Sequence, residues 1–345
     1  MKKRLSIRDI AQQLNISITT VSFILNGKAK EKRISEHVTE RVLKLVEELD
    51  YKPNQIARSL RTGKSKIICL MVENISNDFF SSVARHIEEN AFEQGYKIIY
   101  CSTENKPEKT RELIKMFRER NIDGYIISPP EGIKDDIQSL LDENLPVVLF
   151  DRLIPELHTN YVMIDNFKAT YSAVNHLVEQ GRKNIAFVTL ESNQTQMKDR
   201  LAGYTSAVSE HQLKTCIKKV AYEEAAEKHI DVFASFLQEN QEIDSVLFAT
   251  NYLATAGIEA LNKLGLQIPA DVAIVAFDDL DFFRIYQPSI TAIAQPIEEM
   301  SKNLIDIILK KLEGINDQEN RAEVILPTNL IVRSSSGQSQ AKSSS

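Results

Sequence analysis

The 345-residue sequence predicts a small all-α head followed by a larger α/β body. Two short helical patterns joined by a polar turn begin at Ser6, and both have apolar residues at helical spacing. From Lys66 onward, runs of Val, Ile and Leu alternate with amphipathic helices, which is typical of parallel sheets covered on both faces. Because the body is longer than one such sheet usually needs, we expect it to form two lobes.

The first two helices have the local signals of a helix-turn-helix. Ser6 and Ser17 are suited to cap them, and Asp9 favours the positive end of the first helix. Asn15 stands in the turn, where Asn tolerates a left-handed backbone, and Asn26-Gly27 ends the second helix. The core positions predicted for these helices are Ile7, Ile10, Ala11, Leu14, Val21, Ile24 and Leu25. A third helix starting at Ser35 has the core positions Val38, Val42, Leu45, Val46 and Leu49.

The charge of the chain is divided unevenly between head and body. Residues 1–64 contain 14 Lys and Arg against 7 Asp and Glu, a net charge of +7. The remaining residues contain 28 basic against 41 acidic side chains, a net charge of −13. Since phosphate contacts supply most of the affinity for DNA, the basic head predicts a DNA-binding domain. The alternative is a helical bundle with no nucleic-acid role, and the charge argues against it.

A short basic amphipathic segment, PNQIARSLRTGKS, occupies residues 53–65 between head and body. Residues 54–61 make only about two helical turns, too few for a stable helix alone in water. We expect this hinge to become helical when it pairs with its dimer mate on DNA. A DNA-binding head with such a hinge implies a protein whose affinity for DNA is switched between two levels.

The body reads as a regular alternation of strands and helices. Predicted strands lie at 67–72, 97–102, 124–128, 146–151, 184–190, 217–222, 245–250 and 272–277. Predicted helices lie at 78–95, 107–121, 166–181, 196–212, 223–240, 251–265 and 298–313.

Polar side chains follow several of these strands directly. They are Glu73, Asp151, Thr250-Asn251 and Asp278-Asp279, and residues 74–80 continue from the first strand. Ligands of open α/β sheets bind outside the carboxyl ends of the strands. The sequence therefore predicts a small polar ligand in a cleft between two lobes.

Several motifs, in this order, resemble the lactose-repressor/galactose-repressor (LacI/GalR) family of bacterial transcription regulators. They are DIAQQLNISITTVSFILNG, YKPNQIARSLRTGKS, NISNDFF, PVVLFDR, DRLAGY and AFDDL, and the resemblance covers residues 4–333. It implies a helix-turn-helix head (1–52), a hinge (53–65) and a periplasmic-binding-protein-like body (66–333). Within that body we expect lobe 1 at about 66–160 and 294–325 and lobe 2 at about 161–293. The Ser-rich residues 334–345 read as a disordered tail.

The resemblance also implies which residues bind a small-molecule effector. Carboxylates, Arg and Asn satisfy adjacent hydroxyl groups, and an aromatic face covers the apolar side of a sugar ring. The predicted effector residues are Phe79, Phe80, Asp151, Arg200, Asn251, Asp278 and Gln295, with Tyr222 added at the end of the IKKVAY strand. Each has a structural alternative: the aspartates as loop caps, the arginine in a salt bridge and the aromatic rings in the core.

The predicted DNA contacts come from the second helix, its flanks and the hinge. They are Ser6, Ser17, Ile18, Thr19, Thr20, Phe23, Asn26, Arg33, Asn54, Ala57, Leu60 and Arg61. The resemblance makes Leu60 a wedge inserted at a central minor-groove step. Phe23 departs from the family, whose members often have a polar or basic residue there. It cannot make a bidentate contact with guanine and is suited to a thymine methyl group. Tyr252 also departs from the family, whose members commonly have an acidic residue at that position. This difference leaves the identity of the effector open.

These observations predict a cytoplasmic, effector-controlled transcription regulator that acts as a homodimer on operator DNA. We expect it to be a repressor. We expect helices at about 78–95 and 107–121, and their counterparts in the second lobe, to form the dimer interface. No apolar run reaches the length of a membrane span, no histidine or cysteine spacing predicts a metal, and we expect no cofactor. The alternatives are a solute-binding protein, an activator and a regulator controlled by a partner protein. An enzyme is disfavoured because no nucleophile with a matching base is apparent.

Overall fold

The structure is a computed structural model that describes residues 6–51, 63–222, 226–314 and 321–337. The chain divides into two compact units, and the boundary between them falls at Lys66-Ile67. The predicted hinge contacts Asn54, Ala57, Leu60 and Arg61 lie outside the described residues, so their roles stay predictions.

Within residues 6–51, the head forms three helices, α1 (Ile7–Leu14), α2 (Ile18–Leu25) and α3 (Glu36–Glu48). Ser6 and Asp9 form a capping box at the start of α1: the Ser6 hydroxyl accepts from the Asp9 backbone, and the Asp9 carboxylate accepts from the Ser6 backbone at 2.7 Å. Two donors that the first helical turn leaves without partners are satisfied in this way.

The turn and the core of the head follow the sequence pattern. Asn15 ends α1 with φ of 52°, the left-handed conformation expected of it, and Gly27 takes φ of 70° after α2. The three helices share one apolar core, whose buried members are Ile10, Ala11, Val21, Ile24, Val42 and Leu45.

The first lobe of the body is a parallel six-stranded sheet. Its strands are β1 (Ile67–Val72), β2 (Lys97–Ser102), β3 (Gly124–Ile127), β4 (Val147–Phe150), β5 (Asn160–Ile164) and β11 (Glu323–Leu326). They are ordered β11-β5-β4-β3-β1-β2. The helices of this lobe are α4 (Asp78–Glu93), α5 (Pro107–Glu119), α6 (Lys134–Asp142) and α12 (Ile297–Leu312).

The second lobe repeats this architecture. Its strands are β6 (Ile185–Leu190), β7 (Cys216–Val220), β8 (Ser245–Phe248), β9 (Ala273–Phe277), β10 (Thr291–Ala294) and β12 (Asn329–Ile331). They are ordered β12-β10-β9-β8-β6-β7, and only β12 is antiparallel to its neighbour. Its helices are α7 (Asn166–Glu179), α8 (Thr195–Glu210), α9 (Ala226–Glu239), α10 (Asn251–Leu264) and α11 (Asp281–Ile285).

The chain passes between the two sheets three times, after β5, after β10 and after β11. The second lobe begins a few residues beyond the expected boundary of about 161, because β5 pairs in parallel with β4 and β11 and so belongs to the first sheet. The crossing falls at Asp165, and β12 returns the chain to the second sheet. All three crossings are short, which keeps the carboxyl ends of the two sheets beside one cleft.

Residues 334–337 do not belong to a disordered tail, and that prediction is wrong for them. Ser334–Ser336 form a short 3-10 helix in which Ser335 and Ser336 are buried. The Ser335 hydroxyl accepts from the Thr291 backbone at 2.8 Å and donates to the Ile274 carbonyl at 2.7 Å. The polar composition suggested solvent, but the Ser335 hydroxyl satisfies backbone groups of the second lobe, and the Ser336 hydroxyl pairs with the side chains of Thr291 and His176. Residues 338–345 lie outside the described part of the chain.

Within the described residues, no helix combines the length and apolar character needed to cross a membrane.

Candidate functional site

Residues that follow six different strands line one cavity between the lobes of the body. Its lining from the first lobe is Glu73, Asn77, Phe79, Phe80, Asp151 and Arg152. From the second lobe come Leu190, Gln194, Gln196, Met197, Arg200, Thr250, Asn251, Tyr252 and Asp278, joined by Gln295 at the crossing after β10. The sheet topology brings these residues together, because parallel strands present their carboxyl ends at one edge.

Asp151 and Asp278 occupy equivalent positions in the two lobes. Asp151 follows β4, Asp278 follows β9, and each has φ of 66°. A left-handed backbone is uncommon outside glycine, and Asp is among the residues that tolerate it. Backbone of this kind concentrates at binding sites, where it directs a side chain that a regular strand would place elsewhere.

Asp278 is buried and accepts two hydrogen bonds from amide side chains. Gln295 donates to Oδ1 at 2.6 Å and Asn251 donates to Oδ2 at 2.9 Å. Burial raises the pKa of Asp278 to about 6, although the charge of Arg200 and the two amide donors oppose the shift. The carboxyl group therefore titrates much closer to neutrality than an exposed aspartate does.

Arg200 is a buried cation fixed by neutral groups. Its Nε donates to Asn166 Oδ1 at 2.8 Å and its Nη1 to the Ala249 carbonyl at 2.6 Å. The guanidinium lies over the Phe277 ring, 3.5 Å from the centroid. Burial lowers its pKa, and the charge of Asp278 counters part of that effect. The predicted alternative, a salt bridge at a helix surface, does not describe this residue, which is 3% exposed.

Arg152 is a second buried cation, and the sequence reading did not select it. It donates to Glu73 at 2.7 Å, to Asp151 at 3.1 Å and to Asn105 at 2.9 Å. Burial disfavours its charge, but the carboxylates of Asp151 and Glu73 outweigh this and raise its pKa. The sequence does contain a signal for Arg152, because this residue directly follows the predicted Asp151. Its partner Glu73 stands at the end of the first predicted strand.

Direct hydrogen bonds connect the two lobes across the cleft. The Asn77 and Asn251 amides pair reciprocally, at 3.0 and 3.1 Å. The Leu153 backbone of the first lobe also donates to the Thr195 hydroxyl of the second lobe, at 3.2 Å. The polar centre of the cleft is thus largely filled by its own side chains, leaving a cavity of about 40 Å³.

Three larger cavities adjoin this centre. One, of about 280 Å³, shares Phe79, Asp278 and Gln295 with it. Another, of about 560 Å³, shares Glu73, Asn77 and Tyr252 with the centre and is also lined by Tyr222 and His229. The third, of about 360 Å³, shares Arg152 and Gln194 with the centre.

Seven of the eight predicted effector residues line the central cavity. Tyr222 is the exception and lines the adjoining larger cavity instead. Phe79 and Phe80 both line the centre while remaining buried, with ring centroids 5.0 Å apart. The sequence reading missed Asn77, Gln194, Gln196 and Met197, whose types are ordinary for helix starts and give no signal along the chain. Among the described residues, no group of three or more His, Cys, Asp or Glu is placed to hold a metal ion.

The predicted DNA contacts of the head that the structure describes are on its surface. Ile18 and Thr19 are exposed at the start of α2, and Thr20 and Phe23 are half-buried. Ser6, Ser17, Asn26 and Arg33 are exposed around them. Ser17 caps α2 by accepting from the Thr20 backbone at 2.9 Å.

A three-helix head joined to a two-lobed α/β body with a polar cleft defines a class of ligand-responsive DNA-binding regulators. Two family profiles match the chain: "Bacterial regulatory proteins, lacI family" over residues 6–54 and "Periplasmic binding protein-like domain" over residues 174–336. The chain is 30% identical to the HTH-type transcriptional regulator KdgR of Bacillus subtilis, over 97% of this chain and 100% of that protein. The chain belongs to the LacI family of bacterial transcription regulators.

Solved structures agree with this assignment. The lac repressor dimer bound to operator and an anti-inducer has the same fold, with a TM-score of 0.85 at 22% identity over 97% of this chain and 100% of that one. A LacI family regulator from Enterococcus faecium with bound ribose is 25% identical over 79% of this chain and 98% of that one, with a TM-score of 0.71. The helix-turn-helix head and the periplasmic-binding-protein-like body expected from the sequence are therefore confirmed.

Proposed function

We propose that this protein is a homodimeric transcriptional repressor whose affinity for its operator is set by a sugar bound between the lobes. The observation that carries the proposal is the buried set of Asp151, Arg200, Asn251 and Asp278 beside the Phe79 ring. Carboxylates accept from sugar hydroxyls, while Arg and Asn donate to them. The aromatic edge can cover the apolar side of a sugar ring.

The charges of the cleft favour a neutral, hydroxyl-rich ligand over an anion. Arg152 is already paired with the carboxylates of Glu73 and Asp151. Arg200 lies in the field of Asp278 and Asp151. A phosphate or carboxylate ligand would need a buried cation without a compensating carboxylate nearby, because buried charges are stable only when paired. A sugar needs only the donors and acceptors already present.

Binding of the sugar would change the contacts between the lobes. The Asn77–Asn251 pair occupies the polar centre, so a ligand that enters must exchange these amide bonds for bonds to its hydroxyls. The separation of the lobes then depends on the ligand. A ligand can shift such an equilibrium only by its difference in affinity for the two arrangements.

The test is a thermal-denaturation screen of the full chain against neutral sugars, sugar phosphates, sugar acids and nucleobases. A ligand that binds only the native state raises the melting temperature. We expect a neutral sugar to give the largest shift and to change the affinity for an operator obtained by binding-site selection. A nucleobase hit without any sugar hit would contradict the sugar assignment, and a failure to select any DNA sequence would contradict regulation.

The direction of control is tested in the same system. A reporter gene placed behind the selected operator should be expressed less when the protein is present. Higher expression would identify an activator. A response that needs a second protein would identify a regulator controlled by a partner.

A further inference from the structure

The DNA-facing helix of the head has no charged side chain. The eight residues of α2 are ITTVSFIL, flanked by the caps Ser17 and Asn26. Ile18 is 42% exposed at its start, and Phe23 is half-buried one and a half turns later. At a surface that binds DNA, burial of such apolar side chains against an apolar group of the bases would be favourable.

The polar groups of α2 are largely engaged within the helix. Ser17 and Thr20 share a hydroxyl hydrogen bond of 2.8 Å, and Ser17 also caps the helix. The Asn26 amide donates to the Ser22 carbonyl at 2.6 Å. The side chains that read guanine, adenine or cytosine through paired hydrogen bonds are Arg, Lys, Asn, Gln, Asp and Glu. Asn26 is the one such residue at α2, and its amide is held locally.

A net positive charge lies in the segment that follows α2, whereas α3 carries a net negative charge. Residues 26–35 contain Lys28, Lys30, Lys32 and Arg33 against Glu31, all of them exposed. Residues 36–51 contain two basic against five acidic side chains. Lys32 lies over the Phe23 ring, 5.6 Å from its centroid, which is within cation–π range. The basic side chains next to α2 can therefore attract DNA phosphates, while α2 itself carries no charge.

We propose that α2 reads its operator chiefly through the C5 methyl groups of thymine, with Ile18 and Phe23 as the contacting side chains. The thymine methyl is the apolar group that a base pair presents in the major groove. The inference rests on the proposed function as a DNA-binding regulator and names the base chemistry that this regulator recognises. It predicts half-sites with thymines where α2 enters the groove.

Deoxyuridine substitution tests the inference directly, because it removes the methyl group and leaves every hydrogen-bonding edge unchanged. The full chain is first used to select an operator, and each half-site thymine is then replaced singly by deoxyuridine. We expect at least two positions per half-site at which affinity falls about fourfold, as for exposing one methyl-sized group. Thymines outside the half-sites, replaced in the same way, are the matched control and should have no effect.

Variants assign the effect to particular side chains. Ile18→Ala should abolish the deoxyuridine effect at one position, and Phe23→Ala at another; Phe23→Gln, which keeps much of the side chain's length but ends in a polar amide, serves if the Ala variant unfolds. Arg33→Ala should weaken binding to the thymine and deoxyuridine duplexes by the same factor. Phe23→Arg should shift the selected base toward guanine.

The outcomes separate the inference from the function on which it rests. Specific binding that is unchanged by deoxyuridine at every half-site position would overturn methyl readout and leave the regulator intact. A chain that binds no duplex above the level of random DNA would overturn the proposed function itself.

Discussion

Asp278 makes the stability of the body depend on pH. Its pKa is raised by burial to about 6, whereas its ordinary value is 3.8. The folded state therefore holds the proton more tightly than the unfolded chain does, and the contribution is fully present below pH 4 and lost as pH rises through 6. Relative to Asp278→Asn, the wild type should lose up to about 3 kcal/mol of unfolding free energy between pH 4 and 7.

Urea denaturation of both proteins at several pH values measures this difference. Asp281→Asn, at an exposed aspartate of α11, is the control and should follow the wild-type curve. A wild-type curve parallel to that of Asp278→Asn would show that Asp278 titrates normally.

Arg200 offers a prediction on the effector response. Arg200→Ala removes the cation that faces Asp278, and the sugar loses a donor. We expect operator affinity to become independent of the ligand found in the screen. If the ligand is an inducer, operator binding without it stays near normal; if it is a corepressor, binding stays weak throughout.

The measurement is an operator titration with and without ligand. Lys198→Ala, at an exposed position two residues earlier on α8, is the control and should retain the full response. An undiminished response in Arg200→Ala would place the effector elsewhere.

At the scale of elements, the contact between α7 and α8 depends on one glycine. A Cβ atom at Gly203 would lie 2.3 Å from the Phe167 carbonyl oxygen, which is backbone and cannot rotate away. Gly203→Ala should therefore push the helices apart and lower the unfolding free energy by about 1–3 kcal/mol or more. Because Arg200 lies one turn earlier on α8, effector affinity should fall as well.

Calorimetry or urea denaturation checks this prediction. Ser209→Ala, at an exposed position of the same helix, is the matched control and should change stability by less than about 0.5 kcal/mol. Wild-type stability in Gly203→Ala would mean that the two helices are not held at this distance.

Local sequence signals correctly predicted the helices and strands that are long or that have a capping residue. Ser6, Asn15 and Ser35 marked helix boundaries in the head because each side chain or backbone conformation acts on its own neighbours. The strands β5, β10, β11 and β12 and the helices α6 and α11 were not predicted. The strands are three to five residues long, and β11 and β12 leave most of their residues partly or fully exposed. Such short pieces become strands only through pairing with a neighbour.

At the scale of the molecule, Asn77 connects the lobes of the body and also caps α4. Its side-chain Oδ1 accepts from the Phe79 backbone N–H at 3.0 Å. Asn77→Ser keeps a capping hydroxyl but is too short to pair with Asn251. Losing two hydrogen bonds of about 0.5–1.5 kcal/mol each should favour separated lobes. We expect a larger radius of gyration by small-angle scattering without ligand.

Asn74→Ser, three residues earlier in the same loop, is the control for this variant. It should leave the scattering profile unchanged. An Asn77→Ser profile identical to that of the wild type would show that the amide pair does not hold the lobes together.

The hinge should transmit the state of the cleft to the DNA. We expect Leu60→Ala to lose specific binding and DNA bending, because a leucine wedge unstacks a minor-groove step. Effector binding in the absence of DNA should stay at the wild-type level. Gel phasing and a thermal shift with the identified sugar measure the two effects; unchanged bending would exclude the wedge.

Coupling in the wild type must be reciprocal. The factor by which the sugar changes operator affinity equals the factor by which operator DNA changes sugar affinity, typically about 5–150-fold.

The sequence by itself determined the two-part organisation, the helix-turn-helix and most strands, because periodicity, capping and charge are properties of neighbouring residues. It also placed Asp151, Asn251 and Asp278 at strand ends. The tertiary structure decided what each of them contacts. The pairing of Asn77 with Asn251 joins residues 174 positions apart, and the Arg152–Glu73 contact joins residues 79 positions apart. No local pattern specifies such contacts, because they arise only when two sheets and three crossings bring distant strand ends to one cleft.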